Sequence, residues 1–445
     1  MRAGAFAMDV TPEKFPVSVN GGFADRKATS AHDPLHARCL VLDDGKTKLA
    51  VVVVDSCMIP RELIDGAKAL AEKKTGIPAA NMLVSATHTH SAPAVAGVFG
   101  SDPDTAYQKF LTEKIAAGIE QAHKNLAPAK LGWAVGEEPN HVFNRRWRMK
   151  PGFKNIDPFG NDTDKVRTNP PRAGMDLVEP AGPTDPRVTV LSVRDAKDAP
   201  LAVYANYSLH YVGDRPALSA DYFGVFADLA GQKLKAGKGF VGILANGTSG
   251  DVNNINFREA APKLQPGERS RTVADAVATA TVRSVNKAEH APRAGFRVAS
   301  KEIELGVRKP TDAEVTRAVG ILEKAKGREL KGADETYARE TVLIAKYPAA
   351  VRVPVQVMAI DGCAVVAIPC EVFTEIGLRI KTNSPFKTTC VVSLANGYFG
   401  YLPTPEQHAL GGYETWRARS SFLEVEASNK IEKAIVELMK DLFGK

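Results

Sequence analysis

The amino-acid sequence predicts an α/β fold, a mixed β-sheet core flanked by helices, on three observations. Strand-like and helix-like runs alternate along all 445 residues. Hydrophobic residues make up 44% of the chain and charged residues 24%, an ordinary globular balance with ample material for a large core. Polar, chemistry-bearing residues recur just past apolar runs, the place where open α/β sheets hold their ligands. A chain this long also fits two or three domains. One domain over 1–445 is expected, because the candidate site residues fall on both sides of the long Pro/Gly/Asp-rich stretch at about 148–186. That stretch is read as a covering loop rather than a linker.

In chain order, Cys39 to Leu42 and Leu49 to Val54 flank the turn Asp43-Asp44-Gly45 and read as a hairpin. Helical periodicity covers 61 to 75 and 104 to 124, with the apolar run Asn81-Met82-Leu83-Val84 between them. Strands are expected at 129 to 136 and 187 to 207, a helix at 222 to 236, and a short buried strand at 240 to 244. Helices follow at about 269 to 287, 312 to 325 and 333 to 346. Strands at 351 to 359, 363 to 368 and 389 to 394 precede an amphipathic helix at 427 to 442.

Bulk properties exclude several classes. The formal charge is +7, but its only dense cluster is Arg145-Arg146-Trp147-Arg148-Met149-Lys150, and aromatics are 7% of the chain. Nucleic-acid binding asks for basic residues interleaved with exposed aromatics on one platform, so no nucleic-acid partner is expected. No apolar run approaches the ~20 residues of a bilayer span, so no transmembrane segment is expected. Five widely spaced cysteines without a CxxC argue against a disulfide framework or a thiolate zinc site. Most are expected to be small buried hydrophobes. Oligomeric state is not readable from the sequence.

The most informative segment is Ser85-Ala86-Thr87-His88-Thr89-His90-Ser91-Ala92-Pro93. In extended backbone, residues two apart share a face, so both imidazoles would converge at the carboxyl end of a strand. Neutral imidazole is the commonest protein metal ligand. The spacing alone fits equally a polar loop whose histidines bond to backbone carbonyls. Four further groups follow apolar runs: Asp55 after Val51–Val54, His210 after Leu201–Leu209, Asn246 to Asn254 after Leu244, and Glu371 after Ala364–Cys370. Asn396-Gly397-Tyr398-Phe399-Gly400-Tyr401 follows Val391–Leu394 in the same way. His32, His36, His123, His141, His290 and His408 are read as structural or solvent-facing.

The chain resembles the neutral/alkaline non-lysosomal ceramidase family. The resemblance runs from Ala3-Gly4-Ala5-Phe6-Ala7-Met8-Asp9-Val10-Thr11-Pro12 through Asp33–Arg38, Thr87–Pro93, Asn144-Arg145 and the His210 strand. It continues through Gly250-Asp251-Val252, Pro369–Thr374 and Tyr398–Glu406 to Tyr413-Glu414. It implies one Zn2+ per chain held by His88, His210, Glu371 and Tyr401. Two imidazoles and a carboxylate form a common catalytic zinc shell with a position left for water. It further implies His90 as the acid/base residue and Arg145 as a contact to substrate or to the developing anion. Asp55, Asp251 and Tyr398 are carried as supporting residues around ligands or substrate, and one of Tyr398 and Tyr401 is expected to be a core aromatic.

One motif departs from the family. Ceramidases carry Gly-Asp-x-Ser-Pro-Asn with an essential serine; here Gly250-Asp251-Val252-Asn253-Asn254 puts Asn253 in its place. An amide donates a hydrogen bond but cannot be a nucleophile, so Asn253 is expected to stabilise substrate or oxyanion. The chain also ends without the immunoglobulin-like domain that ceramidases append. Both differences bear on the substrate more than on the metal chemistry. The expected activity is zinc-dependent hydrolysis of an amide (N-acyl) bond in a small or lipid-like acylated substrate. Alternatives are an esterase or deacylase on a soluble or carbohydrate substrate, and a non-catalytic binding protein on the same fold. The resemblance implies a secreted or periplasmic protein whose leader lies outside this chain, with the cytoplasm as the alternative.

Overall fold

A computed structural model describes residues 1–444. Eight strands form the larger sheet: β1 (Arg2–Asp9), β2 (His36–Asp43), β3 (Lys48–Val54), β4 (Met82–Ala86), β5 (Ala127–Glu137), β6 (Arg187–Asp195), β7 (Pro200–Tyr207) and β8 (Val241–Asn246). Their spatial order is β8-β7-β6-β5-β1-β2-β3-β4. The edge pairs β7/β8 and β3/β4 are parallel and the interior pairs antiparallel, so the sheet is mixed as expected. A second sheet has the order β9-β10-β11-β12, built from β9 (Phe296–Gly306), β10 (Ala350–Ile360), β11 (Cys363–Ala367) and β12 (Thr388–Val392).

The two sheets pack face to face. Leu49, Val51 and Val53 of β3 join Leu191, Tyr204 and Ile243 against Met358, Val365 and Cys390 of the second sheet. Ala50, Val52 and Val54 point the other way, onto Ile64 of helix α1 (Arg61–Thr75) and Leu111 of α2 (Thr105–Lys124). A strand buried on both faces reads as an unbroken apolar run, which explains Val51-Val52-Val53-Val54. Helices α3 (Asp221–Lys233) and α4 (Glu268–Val285) cover β6 to β8 through Phe226 and Val277. Beyond α5 (Asp312–Ala325) and α6 (Gly332–Ala345), α7 (Thr374–Thr382) and α8 (Ala427–Phe443) cover the second sheet through Ile376 and Ile435. The layers thus run helix, sheet, sheet, helix.

The elements differ from the sequence reading in three places. Residues 187 to 207 form two antiparallel strands, because the chain turns at Asp195–Pro200. β1 and β9 carry no strong strand signal: β1 is alanine-rich and β9 includes Ser300-Lys301-Glu302, yet their partners impose the pairing. The stretch at 148–186 is not wholly irregular. Val166–Thr168 and Leu177–Pro180 pair antiparallel on either side of Arg146–Met149. All five cysteines are buried and unpaired. Among the described residues no helix is long and apolar enough to cross a membrane.

The larger sheet curls until its edges approach, and the Asn246 side-chain amide on β8 donates to the Thr87 carbonyl just past β4 at 3.0 Å. The Ser393 N–H beyond β12 donates to the Asn246 carbonyl in the same gap. Carboxyl ends of β4, β7, β8, β11 and β12 therefore meet in one place.

Candidate functional site

His88 lies two residues beyond β4, His210 three beyond β7 and Glu371 four beyond β11. The strand does not continue through the two-histidine motif. β4 ends at Ala86, and His88 adopts a left-handed backbone, φ 74°. Its ring and that of His90 converge through this turn, not through extended-chain alternation. Such a conformation in a non-glycine residue costs on the order of 1 kcal/mol or more and persists where the surroundings over-determine it.

Each imidazole is fixed from behind by a backbone carbonyl. His88 Nδ1 lies 2.7 Å from Cys57 O, His210 Nδ1 3.0 Å from Ser249 O, and His90 Nδ1 2.8 Å from Gly21 O. A carbonyl only accepts, so all three Nδ1 atoms carry the proton and each Nε2 of a neutral ring presents a lone pair. Gly21 is required there: at φ 103° its missing Cβ would stand 2.4 Å from the His90 ring. The three Nε2 atoms face one another, with His88 at 3.2 Å from His210 and 3.1 Å from His90. Glu371 Oε2 is 3.2 Å from His88 Nε2 and has no hydrogen-bond partner within the protein.

Lone pairs and a carboxylate aimed at one buried point repel unless a cation joins them. Burial disfavours charge on His88, yet the adjacent Glu371 overrides this and raises its pKa to about 10. Burial, Arg145 and His88 hold His210 well below the ordinary range, and burial and His88 do the same for His90. The adjacent carboxylate thus favours positive charge at His88, while His210 and His90 stay neutral. Tetrahedral zinc with bonds of about 2.0–2.2 Å separates neighbouring ligand atoms by roughly 3.3–3.5 Å. The separations among His88, His210 and Glu371 fit that shell, and these three form a group able to hold a metal ion. A second group, Cys57 with His88 and His90, fits less well. The Cys57 thiol is 3.9 Å from His88 Nδ1, behind the ring, and burial pushes its pKa up, away from thiolate.

Arg145 stands beside the cluster. Its Nη1 is 3.2 Å from His210 Nε2, and its Nη2 donates to the Tyr401 hydroxyl at 3.1 Å. Tyr401 is held opposite Glu371 by parallel pairing of Glu371–Val372 with Tyr401–Leu402. Burial and then Glu371 raise the Tyr401 pKa well above the phenol range, so the hydroxyl stays neutral. The Tyr398 hydroxyl donates to Glu371 Oε1 at 3.0 Å. Removing a hydrogen bond to a ligating carboxylate typically weakens metal affinity 10–100-fold. Were Glu371 to hold a metal ion, Tyr398→Phe would weaken its binding at least about tenfold, measured by chelator competition, with little change in melting temperature.

Three sequence-predicted residues do not touch the histidines. Asp55 does not orient a histidine: its carboxylate binds Arg38 Nη1 at 2.6 Å and the His36 N–H at 2.8 Å, leaving ring orientation to the carbonyls. Asp251 is a strut, accepting from Asn144 Nδ2 and from both the N–H and hydroxyl of Thr374. Its carbonyl receives the Arg145 N–H at 2.8 Å, which ties the Arg145 strand to the Glu371 turn. Asn253 does not turn its amide to the histidines. Its Nδ2 donates to Asn169 Oδ1 at 2.8 Å, and its Oδ1 accepts the Ile255 N–H at 2.9 Å. None of His32, His36, His123, His141, His290 and His408 joins the metal-binding groups found among the described residues.

Other residues complete the site. A cavity of about 700 Å³ opens over His90, His210, Arg145 and Tyr401. Residues 155–158 and 166–169 of the covering stretch form one wall, and Phe23, Phe99, Tyr413 and Trp416 supply aromatic surface. Tyr211 stacks on His90 with ring centroids 3.7 Å apart. Buried Glu414 accepts from Arg145 Nε at 2.9 Å and Arg146 Nη1 at 2.7 Å. Sequence reading gave Tyr413-Glu414 no role, because the pair follows two glycines with no strand to place it. Its one signal was its place at the end of the family resemblance.

Fold and donor set together define a large mixed α/β protein with side chains able to hold a metal ion gathered at strand ends. The sequence pattern of the family described as "Neutral/alkaline non-lysosomal ceramidase, N-terminal" matches residues 2–261. The chain belongs to this family. It is 28% identical over 270 residues to neutral ceramidase B of Dictyostelium discoideum, a match covering 56% of this chain and 35% of that protein. The match thus spans about a third of the length of that relative. Neutral ceramidase from Pseudomonas aeruginosa has the same fold: TM-score 0.75, 18% identity, with 99% of this chain and 74% of that one covered. A structure described as "Ceramidase complexed with C2" superposes with TM-score 0.76 at 18% identity, covering 100% of this chain and 75% of that one.

Proposed function

We propose that this protein is a metal-dependent amide hydrolase that cleaves an N-acyl bond, with one zinc held by His88, His210 and Glu371 and with Tyr401 beside it. The observation that carries this reading is the convergence of three carbonyl-anchored imidazoles and one unpartnered carboxylate oxygen on a buried point that borders a 700 Å³ cavity. A bound zinc ion supplies Lewis-acid polarisation of the scissile carbonyl and lowers the pKa of water towards ~7. His90 presents its Nε2 lone pair to take a proton from the attacking water and deliver it to the leaving nitrogen. Gly21 O and the Tyr211 stack keep that ring in place through both transfers. Arg145 and the neutral Tyr401 hydroxyl, which border the cavity, would stabilise the carbonyl oxygen as it gains charge, each worth roughly 3 kcal/mol as a preorganised donor. Family membership favours a ceramide-type amide, and the aromatic cavity wall suits an acyl chain. No observation favours an ester over an amide. The architecture supports one functional unit over the whole chain, because donors arrive from both sheets.

Metal analysis with hydrolysis assays tests the reading. One zinc per chain is expected, together with turnover of short-chain N-acyl sphingosines and N-acyl chromogenic amides. EDTA should abolish turnover and zinc restore it. A zinc-loaded protein that turns over no N-acyl compound is a binding protein, and turnover that survives metal removal excludes this mechanism.

A further inference from the structure

We infer that Asn169, not Asn253, is the amide that meets the substrate, and that it donates to an uncharged hydroxyl or ether oxygen beside the scissile bond. The inference rests on the amide-hydrolase reading above only for what sits in the cavity. The orientation of both amides follows from one backbone donor. The Ile255 N–H needs an acceptor, which fixes Asn253 Oδ1 towards it at 2.9 Å. The Asn253 amino group then points to Asn169 at 2.8 Å, so the atom it meets is Asn169 Oδ1. By exclusion the Asn169 Nδ2 donor is on the other side, where this exposed side chain has no hydrogen-bond partner among the described residues.

Asn169 lines the cavity together with Arg145, His210 and Tyr401, whereas Asn253 does not reach it. Its backbone is pinned in the same frame: its N–H donates to the Arg145 carbonyl at 2.9 Å, and φ is 48°, a conformation that asparagine tolerates. The scissile carbonyl is already served by Arg145 and Tyr401, so the oxygen met by Asn169 is a different one. The cavity lining carries Arg145 and Arg167 as well as Asp157 and Asp334, so its charges balance and a neutral amide donor suits an uncharged oxygen. Asn253 is then a positioning residue that sets which end of Asn169 faces the substrate.

Calorimetry on the zinc-loaded full chain tests this apart from turnover. The probes are three N,N′-dialkyl ureas, uncharged and resistant to cleavage: one with a hydroxyl beside a nitrogen-bearing carbon, its O-methyl ether, and its deoxy counterpart. The wild type is expected to bind the hydroxyl probe roughly tenfold more tightly than the deoxy probe. Asn169→Gly, which suits the positive φ, should erase that difference while lowering the melting temperature by only a few degrees, through the lost bond from Asn253. Asn169→Asp and Asn253→Asp each turn an acceptor towards the cavity. They should keep the hydroxyl probe, which can donate, and lose roughly tenfold on the ether, which cannot. A hydroxyl preference that persists in Asn169→Gly, or ether binding unchanged in both Asp variants, overturns the inference. Absence of hydrolysis by the wild type would instead strike the amide-hydrolase reading and leave these binding ratios to be judged separately.

Discussion

His88→Ala is expected to remove zinc from the protein and to lower hydrolysis on the order of 10³-fold or more, since a metal centre supplies several kcal/mol of transition-state stabilisation. His88 is the hub of the cluster: its Nε2 lies within 3.2 Å of His210 Nε2, His90 Nε2 and Glu371 Oε2. Removing it leaves two candidate ligands, one from each sheet, too few for a three-residue shell. The side chain belongs to none of the apolar clusters that hold the layers together. The variant should therefore keep its secondary structure and melt within a few degrees of EDTA-stripped wild type. Elemental analysis, circular dichroism and the amide assay read the three effects. Zinc retained at full stoichiometry, or hydrolysis persisting without it, would exclude the proposed centre.

The sequence exposed this hub because its context is local. An apolar strand, two histidines and a proline stand within a dozen residues. Glu371 and His210 were picked out by their place just past strand-like runs, but their role as ligands came only from the family resemblance. What was not legible came from contacts between distant segments. Nothing near Asn253 announces that its amide is taken by Asn169, 84 residues away. Asp55 looked like a site residue by its strand-end position, and only the approach of Arg38 on the paired strand shows that it is a structural acceptor. β1 lay outside the strand assignments because alanine and glycine carry little β preference. Its place in the middle of the larger sheet is imposed by β2 and β5.

Glu414→Ala is expected to destabilise the fold by about 3–5 kcal/mol and to depress hydrolysis as well, because it leaves two buried guanidinium groups without a counter-charge. Glu414 is fully buried and spans Arg145 and Arg146, with a third bond from the Thr168 hydroxyl at 2.7 Å. The same carboxylate thereby links the arginine beside the histidines to the covering stretch that walls the cavity. Burial alone would raise its pKa, but Arg145 and then Arg146 outweigh that and hold it below the ordinary carboxylate range. The sign of the pH dependence follows. A folded-state pKa below the unfolded value of about 4.3 gives stabilisation that is fully present above about pH 5 and fades as pH falls through the folded value. Urea unfolding should show the wild type losing stability relative to Glu414→Ala as pH drops from about 5, so that the difference between the two narrows in acid. Arg145 freed from Glu414 loses its hold on the Tyr401 hydroxyl, so kcat should fall more than KM rises. A variant as stable as the wild type at pH 7, or a stability gap that is flat through the acid range, would show that these charges do not depend on one another.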